Sequence, residues 1–513
     1  MTLETTPKRS RRLTATLGRV PLAGWACALV AGLSALTWSL VTPPFHVPDE
    51  VSHFAYAQYL AETGDLPREN GDLSYSPEEQ TALHFTDFYL VIGEPSGRPP
   101  WAQVQERALE NAPKADRVGS GNAQSATNNP PLYYALEAIP YHLAGGSGLL
   151  DRLMFMRFLS VLMASVTALA AFLFVREVLP STPWAWTAGG LAVALQPLFG
   201  FISSGVQADA LLYMSSALLF VALARAFRRG LTPARGAAIG VATALGIFSK
   251  ITFLGLVPGA VLAALLLAWL GRNTPARQAV WRGAALATGI VVCAGALYVG
   301  SNVLLFDRPA LPGAIGSTAQ ASATASVAPA ADAPASHPGG VRERLVYIWQ
   351  LYLPRLPFMS EQFPGPNPTS NVWLSGWIGR FGWLDTAWPD VVYRWARWAL
   401  VLLAGLAAFA TGRSLLRDGA WRARWPELLS YAALAIGLLV LIGLASYRAR
   451  EDGDFGFQQA RYLLPLLPLY GAAVGMAARA FGCWGPPVAA ALVVAAWGHD
   501  VLAQLLMVSR FYG

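Results

Sequence analysis

The chain reads as all-α: a polytopic bundle of transmembrane helices with long segments gathered on one side. Three observations predict this. Of 513 residues, 54% are hydrophobic and only 13% charged, well below the charge of an ordinary globular domain. Apolar runs of about 20 residues recur, each long enough to cross a hydrocarbon core of about 30 Å. The runs also lack the short period-two alternation of barrel strands.

Taken in order, residues 1–20 form a basic start around Lys8, Arg9, Arg11 and Arg12. It runs without a clear small-residue cleavage site into 21–41, which reads as a retained first span rather than a signal peptide. Further spans are expected near 155–175, 184–205, 209–227, 235–249, 252–270, 283–305, 392–412, 427–446, 462–480 and 486–508. That makes about eleven, with two pairs in which a re-entrant turn would replace a full crossing. The main body is 21–480, and 486–513 forms a closing helix.

Cations set the expected orientation, because short cytoplasmic connections collect Lys and Arg. With the N-terminus inside, the inner connections carry Arg176, Arg225, Arg228, Arg229, Arg235, Arg272, Arg277, Arg282, Arg413 and Arg479 among others. The short outer ones hold Lys250, Arg448, Arg450, Arg461 and Arg510. The long segments 43–152 and 306–391 then fall outside. The first has amphipathic patches and aromatics (Phe85, Phe88, Tyr89) and should be partly ordered. The second begins with an Ala/Ser/Pro-rich tract within 313–340, expected to be disordered. Its later part carries Tyr347, Trp349, Tyr352, Trp373, Trp377, Phe381 and Trp383, read as interfacial aromatics. The +7 net charge fits membrane orientation and gives no sign of nucleic-acid binding. Cys27, Cys293 and Cys483 read as small buried hydrophobes rather than disulfides or metal ligands.

Polar chemistry crowds the outer side. The histidines His46, His53, His84, His142, His337 and His499 fall there, with Asp49, Glu50, Asp209, Lys250, Glu451, Asp452, Asp454 and Arg461. The densest stretch is Pro43-Pro44-Phe45-His46-Val47-Pro48-Asp49-Glu50-Val51-Ser52-His53, where the first span meets water. Ionisable groups are expensive at a bilayer and mark functional sites. On the plain structural reading, Pro48 and the two acids merely start a juxtamembrane helix. Against it, Asp49 and Glu50 lie four and three residues before His53, so all three can share a helix face. A carboxylate there could take a proton from a sugar hydroxyl, or bind a divalent ion with His53. Asp49 and Glu50 are the catalytic candidates, and Asp49 with His53 the candidate metal ligands; no motif demands another cofactor.

Other candidates lie further along. Asn128 and Asn129 end the first outer segment, either as loop terminators or as hydrogen-bond partners for a sugar. Arg157 sits in an apolar setting, snorkelling or offering its planar fork to a phosphate. Asp209 is either a helix cap or a site acid. Lys250 is a lone cation between apolar runs, suited to a lipid phosphate, and Arg461-Tyr462 opens the tenth span. Gathered together, Asp49, Arg157, Lys250 and Arg461 would make a site for an anionic lipid-linked substrate.

These motifs resemble domain-of-unknown-function family 2142, bacterial membrane proteins within the wider class of GT-C-fold glycosyltransferases. The resemblance spans about 20–475. It rests on Pro43-Pro44 through Pro48-Asp49-Glu50 and His53, on Lys250, on Gly379-Arg380-Phe381-Gly382-Trp383-Leu384-Asp385, and on Arg461-Tyr462-Leu463-Leu464-Pro465. Asn129-Pro130-Pro131-Leu132-Tyr133-Tyr134 is similar to the His-Pro-Pro-Leu-Tyr-Tyr type segment of related lipid-linked sugar transferases, with Asn129 in place of the histidine. Ala460 stands where glycine often precedes Arg-Tyr. The resemblance implies a GT-C-like helical membrane enzyme of the bacterial cytoplasmic membrane with its site on the outer face. It would move a sugar from a polyprenyl-phosphate donor to a glycan, lipid or protein acceptor, inverting the anomeric centre, with Asp49 as base or metal ligand. Two other classes remain open: a transporter or flippase of lipid-linked glycans, which would favour midplane charges and paired halves, and a non-catalytic envelope-assembly partner.

Overall fold

The computed structural model describes residues 20–68, 75–94, 103–119, 121, 123–306, 308–310, 340–363, 370–417, 421–451 and 458–513. The basic start, Asp452, Asp454, His337 and all but the last residue of the 313–340 tract lie outside the described residues.

Backbone polar groups find no water in hydrocarbon, so each apolar run closes its own hydrogen bonds as a helix. Helix α1 (Leu22–Val41) opens the bundle. Short helices follow: α2 (Glu50–Thr63), α3 (Pro77–Phe85), α4 (Phe88–Val91), α5 (Gln103–Glu110) and α6 (Leu132–Leu143). The chain then enters α7 (Leu149–Val178), α8 (Pro183–Ala194), α9 (Pro197–Ile202) and α10 (Ala208–Arg229). Next come α11 (Pro233–Ile247), α12 (Val257–Gly271) and α13 (Arg277–Gly300). After 340 lie α14 (Val341–Tyr352), α15 (Ser370–Gly379) and an antiparallel hairpin of β1 (Arg380–Phe381) and β2 (Thr386–Ala387). Helices α16 (Asp390–Arg417), α17 (Trp421–Glu451), α18 (Leu467–Arg479) and α19 (Gly485–Phe511) complete the chain.

All eleven expected apolar segments are helical, and among the described residues eight helices are long and apolar enough to cross a membrane. The other three are short or broken. Helix α11 has 15 residues. The 184–205 segment breaks between α8 and α9 because Pro197 lacks an N–H and forces Gln196 into extended backbone. Gln196 repairs the gap, accepting from the Phe199 N–H (2.6 Å) and donating to the Trp377 carbonyl (2.9 Å). The 462–480 segment starts as a 3-10 turn, Ala460–Leu466, that carries Arg461 and passes Pro465 before α18 begins. Irregular backbone of this kind is tolerated at membrane depth only where protein covers it, and α9 is buried throughout.

Packing follows the small residues. Helix α1 lies on α7 and α8, α7 on α10, α11 on α13, α12 on α17, and α18 on α8 and α16. Backbones touch where glycines meet, Gly189 with Gly471 and Gly236 with Gly283, the close approach that drives helix association in lipid. Asp500 clamps α19 to α1, accepting from Ser34 Oγ (2.8 Å) and Trp38 Nε1 (2.9 Å). At the far ends of α7 and α10, Glu177 pairs with Arg225 (3.4 Å) and Arg229 (2.5 Å), and Arg228 pairs with Glu427 (3.1 Å).

Two expectations are corrected. Tyr347, Trp373 and Phe381 are buried rather than interfacial: each finds a partner inside, such as Ser446 for the Tyr347 hydroxyl (2.8 Å) and the Leu351 carbonyl for Trp373 (2.7 Å). Cys27 is buried as expected, but Cys293, on α13, and Cys483, in the 3-10 turn Gly482–Trp484, are exposed among the described residues.

Candidate functional site

The site grows from the strap that joins α1 to α2. Arg157, on α7, is 1% exposed, and all five of its N–H groups are used. Nε and Nη2 grip the Glu50 carboxylate (2.7 and 2.6 Å), while Nη1 and Nη2 donate to the carbonyls of Ser39, Thr42 and Pro43 (3.0 Å each). The guanidinium therefore has no donor left for a phosphate. Glu50 is equally filled: its oxygens also accept the N–H groups of Phe45 (2.9 Å) and Val206 (3.0 Å). The expected phosphate cation and the second catalytic acid instead form an internal tie with neither group open to substrate.

That tie holds a strained backbone. Phe45 (φ 67°) and Asp49 (φ 64°) both occupy the left-handed region. For non-glycine residues this costs about 1–3 kcal/mol each and persists only where the surroundings over-determine it. Trp383 Nε1 donates to the Phe45 carbonyl (3.2 Å) and Gln207 Nε2 to the Pro48 carbonyl. The Gly379–Asp385 motif thus folds as a hairpin buttress, with Phe381 against Trp38 (ring centroids 4.8 Å apart). Asp49 is the N-cap of α2 but makes no capping bond, so the expected position in the first helical turn belongs to Glu50.

The Asp49 side chain is 23% exposed, and its Oδ2 pairs with Arg461 Nη2. Its Oδ1 accepts no hydrogen bond among the described residues. Arg461 also approaches Asp209 Oδ2 (3.9 Å), and Asp209 binds Lys250 Nζ (2.9 Å). Lys250 sits in extended backbone where α11 ends, before the 3-10 turn Ile251–Leu256. Tyr462 lies beneath both cations, its ring centroid 5.3 Å from the Arg461 guanidinium carbon and 6.0 Å from Lys250 Nζ. Asp209 belongs to the first turn of α10 and caps nothing; the cap is Gln207. Four elements thus bring two acids and two cations into one cluster.

A second set adjoins it. His53 Nδ1 meets the Tyr134 hydroxyl (2.7 Å), which also receives the Asn129 amide N–H (3.0 Å). Because that oxygen accepts from Asn129, its own proton is free to go to Nδ1, leaving the His53 proton on Nε2. The Tyr56 ring stacks on Tyr134 at 3.6 Å and its hydroxyl donates to the Asn129 backbone carbonyl (3.3 Å). Asn128, beside Asn129, is half-buried.

Charges tune these groups. Burial pushes the Asp49 carboxyl up, but the paired Arg461, with His53 and Lys250, outweighs it and holds the group below its ordinary value. His53 is drawn down to about 3, by burial first and Lys250 second, with Asp49 and Asp209 opposing in part. His46, wedged between Phe88 and Phe511, is drawn to about 3 by burial, Arg157 and Arg510. Neither histidine is an acid or base near pH 7.

A divalent ion fits this donor set poorly. Among the described residues no three His, Cys, Asp or Glu side chains gather to hold a metal. His53 Nδ1 is taken by Tyr134, and Asp49 and Asp209 already face Arg461 and Lys250. What the cluster offers is a carboxylate with one free oxygen beside two cations.

Sequence reasoning left several contributors unassigned: Gln207, Trp383 and Tyr134 as partners of the strap and of His53, and Asp500 in the last helix. Trp383 and Tyr134 stood inside motifs already singled out, and Asp500 carried a signal of its own, a carboxylate inside an apolar run.

Residues 33–470 match the family described as "Predicted membrane protein (DUF2142)", most of the stretch over which the resemblance was drawn. No curated protein matches the chain. Among solved structures, the chain is similar to ArnT from Cupriavidus metallidurans in the apo state, with a TM-score of 0.45 and 13% identity over 94% of this chain and 76% of that one. The same protein bound to undecaprenyl phosphate gives 0.44 and 13% over 96% and 76%. The apo Archaeoglobus fulgidus oligosaccharyltransferase gives 0.39 and 12% over 95% of this chain and 55% of that one.

Proposed function

The chain belongs to the DUF2142 family of membrane proteins, and we propose that this member is a glycosyltransferase that moves a sugar from a polyprenyl-phosphate donor to the hydroxyl of a glycan, lipid or protein acceptor. The observation that carries the reading is the convergence of Asp49, Arg461, Asp209 and Lys250, with Asp49 Oδ1 free and its side chain partly exposed. A flippase needs a path for its cargo; a carboxylate held beside two cations suits glycosyl transfer from a lipid phosphate.

In the proposed reaction Asp49 Oδ1 takes the proton of the acceptor hydroxyl. The acceptor oxygen bonds to the anomeric carbon from the face opposite the phosphate, and the carbon–oxygen bond to phosphate breaks. Polyprenyl phosphate leaves with the electron pair, and the anomeric centre inverts. Arg461 and Lys250 oppose the charge that grows on the departing phosphate, a preorganised electrostatic role. Neutral His53, with its proton on Nε2, is a fixed donor for a sugar oxygen, and Asn129 acts through Tyr134 to hold it. On this reading the long segments 43–152 and 306–391, and with them the site, face outward from the bacterial cytoplasmic membrane; the cation distribution supports that side.

Purified protein in proteoliposomes with a panel of radiolabelled polyprenyl-phosphate sugars tests the reading. Formation of a new glycoside that needs the protein supports it. Altered accessibility of the lipid-linked sugar with no new glycoside would assign the flippase class instead.

A further inference from the structure

The tie between Glu50 and Arg157 is far more elaborate than an ordinary buried ion pair. It joins α7 to three carbonyls at the end of α1, and it closes the strap on itself, since Glu50 accepts the backbone N–H of Phe45 five residues earlier. The closed segment holds two of the four left-handed non-glycine residues among those described, Phe45 and Asp49, near its two ends. Gly205 presses against its middle: a Cβ there would stand 2.7 Å from Val47 Cβ. Gln207 and Trp383 hold two of its carbonyls. Asp49 is the residue whose direction this closure decides, because its helix-cap side chain makes no capping bond and its backbone is left-handed. The cations it meets stand on other elements: Lys250 between α11 and α12, Arg461 before α18.

We infer that Glu50 and Arg157 are positioning residues for the reaction, a five-donor staple that fixes the strap so that the Asp49 carboxylate points at the acceptor between Lys250 and Arg461. This rests on the reading of Asp49 as the base. The staple acts through the strap, which carries Asp49 and the Pro48 carbonyl that Arg461 Nη1 meets (3.4 Å); Lys250, held by Asp209 (2.9 Å), stands outside it. Lysine at 157 offers at most three donors from a single point and cannot hold Glu50 and three carbonyls together. The strained residues at 45 and 49 would then relax and the carboxylate would swing.

The test is Arg157→Lys, assayed per folded molecule by size-exclusion recovery. Misplacing a reacting group by about 1 Å costs about 10²-fold in rate, so kcat is expected to fall about that far while binding of the polyprenyl-phosphate sugar weakens by less than about tenfold, because Lys250 keeps its place on Asp209. A pH profile separates positioning from mere loss of folded protein. Asp49 is faced by His53 on its own helix, Asp209 on α10, Lys250, and Arg461. If its carboxylate swings from Arg461, the acid limb of kcat/KM moves to higher pH, whereas partial unfolding lowers the amplitude and leaves the limb in place. Should Arg157→Lys fail to fold, Trp383→Phe removes one bond to the Phe45 carbonyl without stranding a charge. It is expected to lower kcat about tenfold, a fraction of the full misplacement penalty, with the same upward shift. Wild-type kcat and an unmoved limb in the folded variant would overturn the inference. If Asp49→Asn itself keeps full turnover, the base assignment fails first, and the two failures are distinguishable.

Discussion

Replacing Asp49 with asparagine separates chemistry from folding. The amide cannot accept a proton near neutral pH, so the variant loses the general-base contribution of about 10²–10⁴-fold, or about 3–5 kcal/mol of barrier at 1.36 kcal/mol per decade. The structural cost is far smaller. The Asp49 side chain is 23% exposed but that of Arg461 only 4%, so solvent screens the pair in part, and losing the charge on one side costs about 1–2 kcal/mol. Asparagine still offers an oxygen to the guanidinium, and Asp209 at 3.9 Å remains as a counter-ion. Turnover in proteoliposomes should therefore fall at least a hundredfold, while the melting temperature at pH 7 moves by only a few degrees.

The pH dependence sharpens this test. Arg461 holds the folded-state pKa of Asp49 below its ordinary value, overcoming burial. The carboxylate thus adds stability above the unfolded value of about 3.9 and loses it as pH falls through the lower folded value. The melting difference between wild type and variant should close as pH drops below that range. The same depression keeps the base ionised from pH 5 to 8, so wild-type kcat/KM should be flat there on its acid side. The acid limb of kcat should lie higher than that of kcat/KM, because a bound donor phosphate shares Arg461 and adds negative charge beside Asp49. Folded Asp49→Asn protein that turns over within a few-fold of wild type would refute the reasoning.

Four further outcomes are expected. Arg461→Ala should weaken donor binding and lower kcat together, since a phosphate cation acts in ground and transition states alike; a change in kcat alone, read by separate binding and turnover assays, would contradict its assignment. Chelators should leave turnover unchanged, because protein cations already face both carboxylates; activity lost with EDTA and restored by a divalent ion would refute this. His46 and His53, both near 3 when folded against an ordinary 6.5, bind fewer protons than in the unfolded chain between those values. Stability should then fall as pH drops through that window, by up to about 1.4 kcal/mol per unit for each, and His53→Gln should flatten the slope of melting temperature against pH. Cysteine-accessibility labelling should find 43–68 and 340–363 on the same, outer side; labelling of either from the cytoplasm alone would break the topology.

Much of the architecture was legible because hydropathy is a local property. Every apolar run became a helix, while the breaks at Pro197 and around Pro465 fell inside stretches drawn as whole spans. The hairpin at 380–387 was not legible as such, since two-residue strands leave no periodic trace. At the site, the residue types and their shared side of the membrane could be read: Asp49, His53, Asn129, Asp209, Lys250, Arg461 and Tyr462 do come together. Their pairing could not. Glu50 finds Arg157 more than a hundred residues away, and nothing in either local sequence says that the arginine's fork will be spent on carbonyls of α1 rather than on a phosphate. The aromatics of the second segment misled for a similar reason: a tryptophan at an interface and one buried with a carbonyl partner have the same sequence signature.

The adjacent pair Asp49-Glu50 shows how environment alone divides the labour of two carboxylates. In sequence they are interchangeable, one methylene apart and equally near His53. Helix geometry first separates them, because consecutive residues on a helix point about 100° apart. The left-handed backbone at 49 then turns Asp49 out of the capping position its residue type would favour. Glu50 consequently points into the bundle, where four donors, two of them on the Arg157 guanidinium, fill its oxygens away from water. Asp49 stays partly exposed, with one oxygen on Arg461 and no hydrogen bond to the other among the described residues. A proton acceptor needs that free oxygen, and a tie between helices needs every oxygen filled. The longer side chain reaches the buried arginine and the shorter one stays partly exposed, so exchanging the two acids would cost both functions even though the composition of the motif would be unchanged.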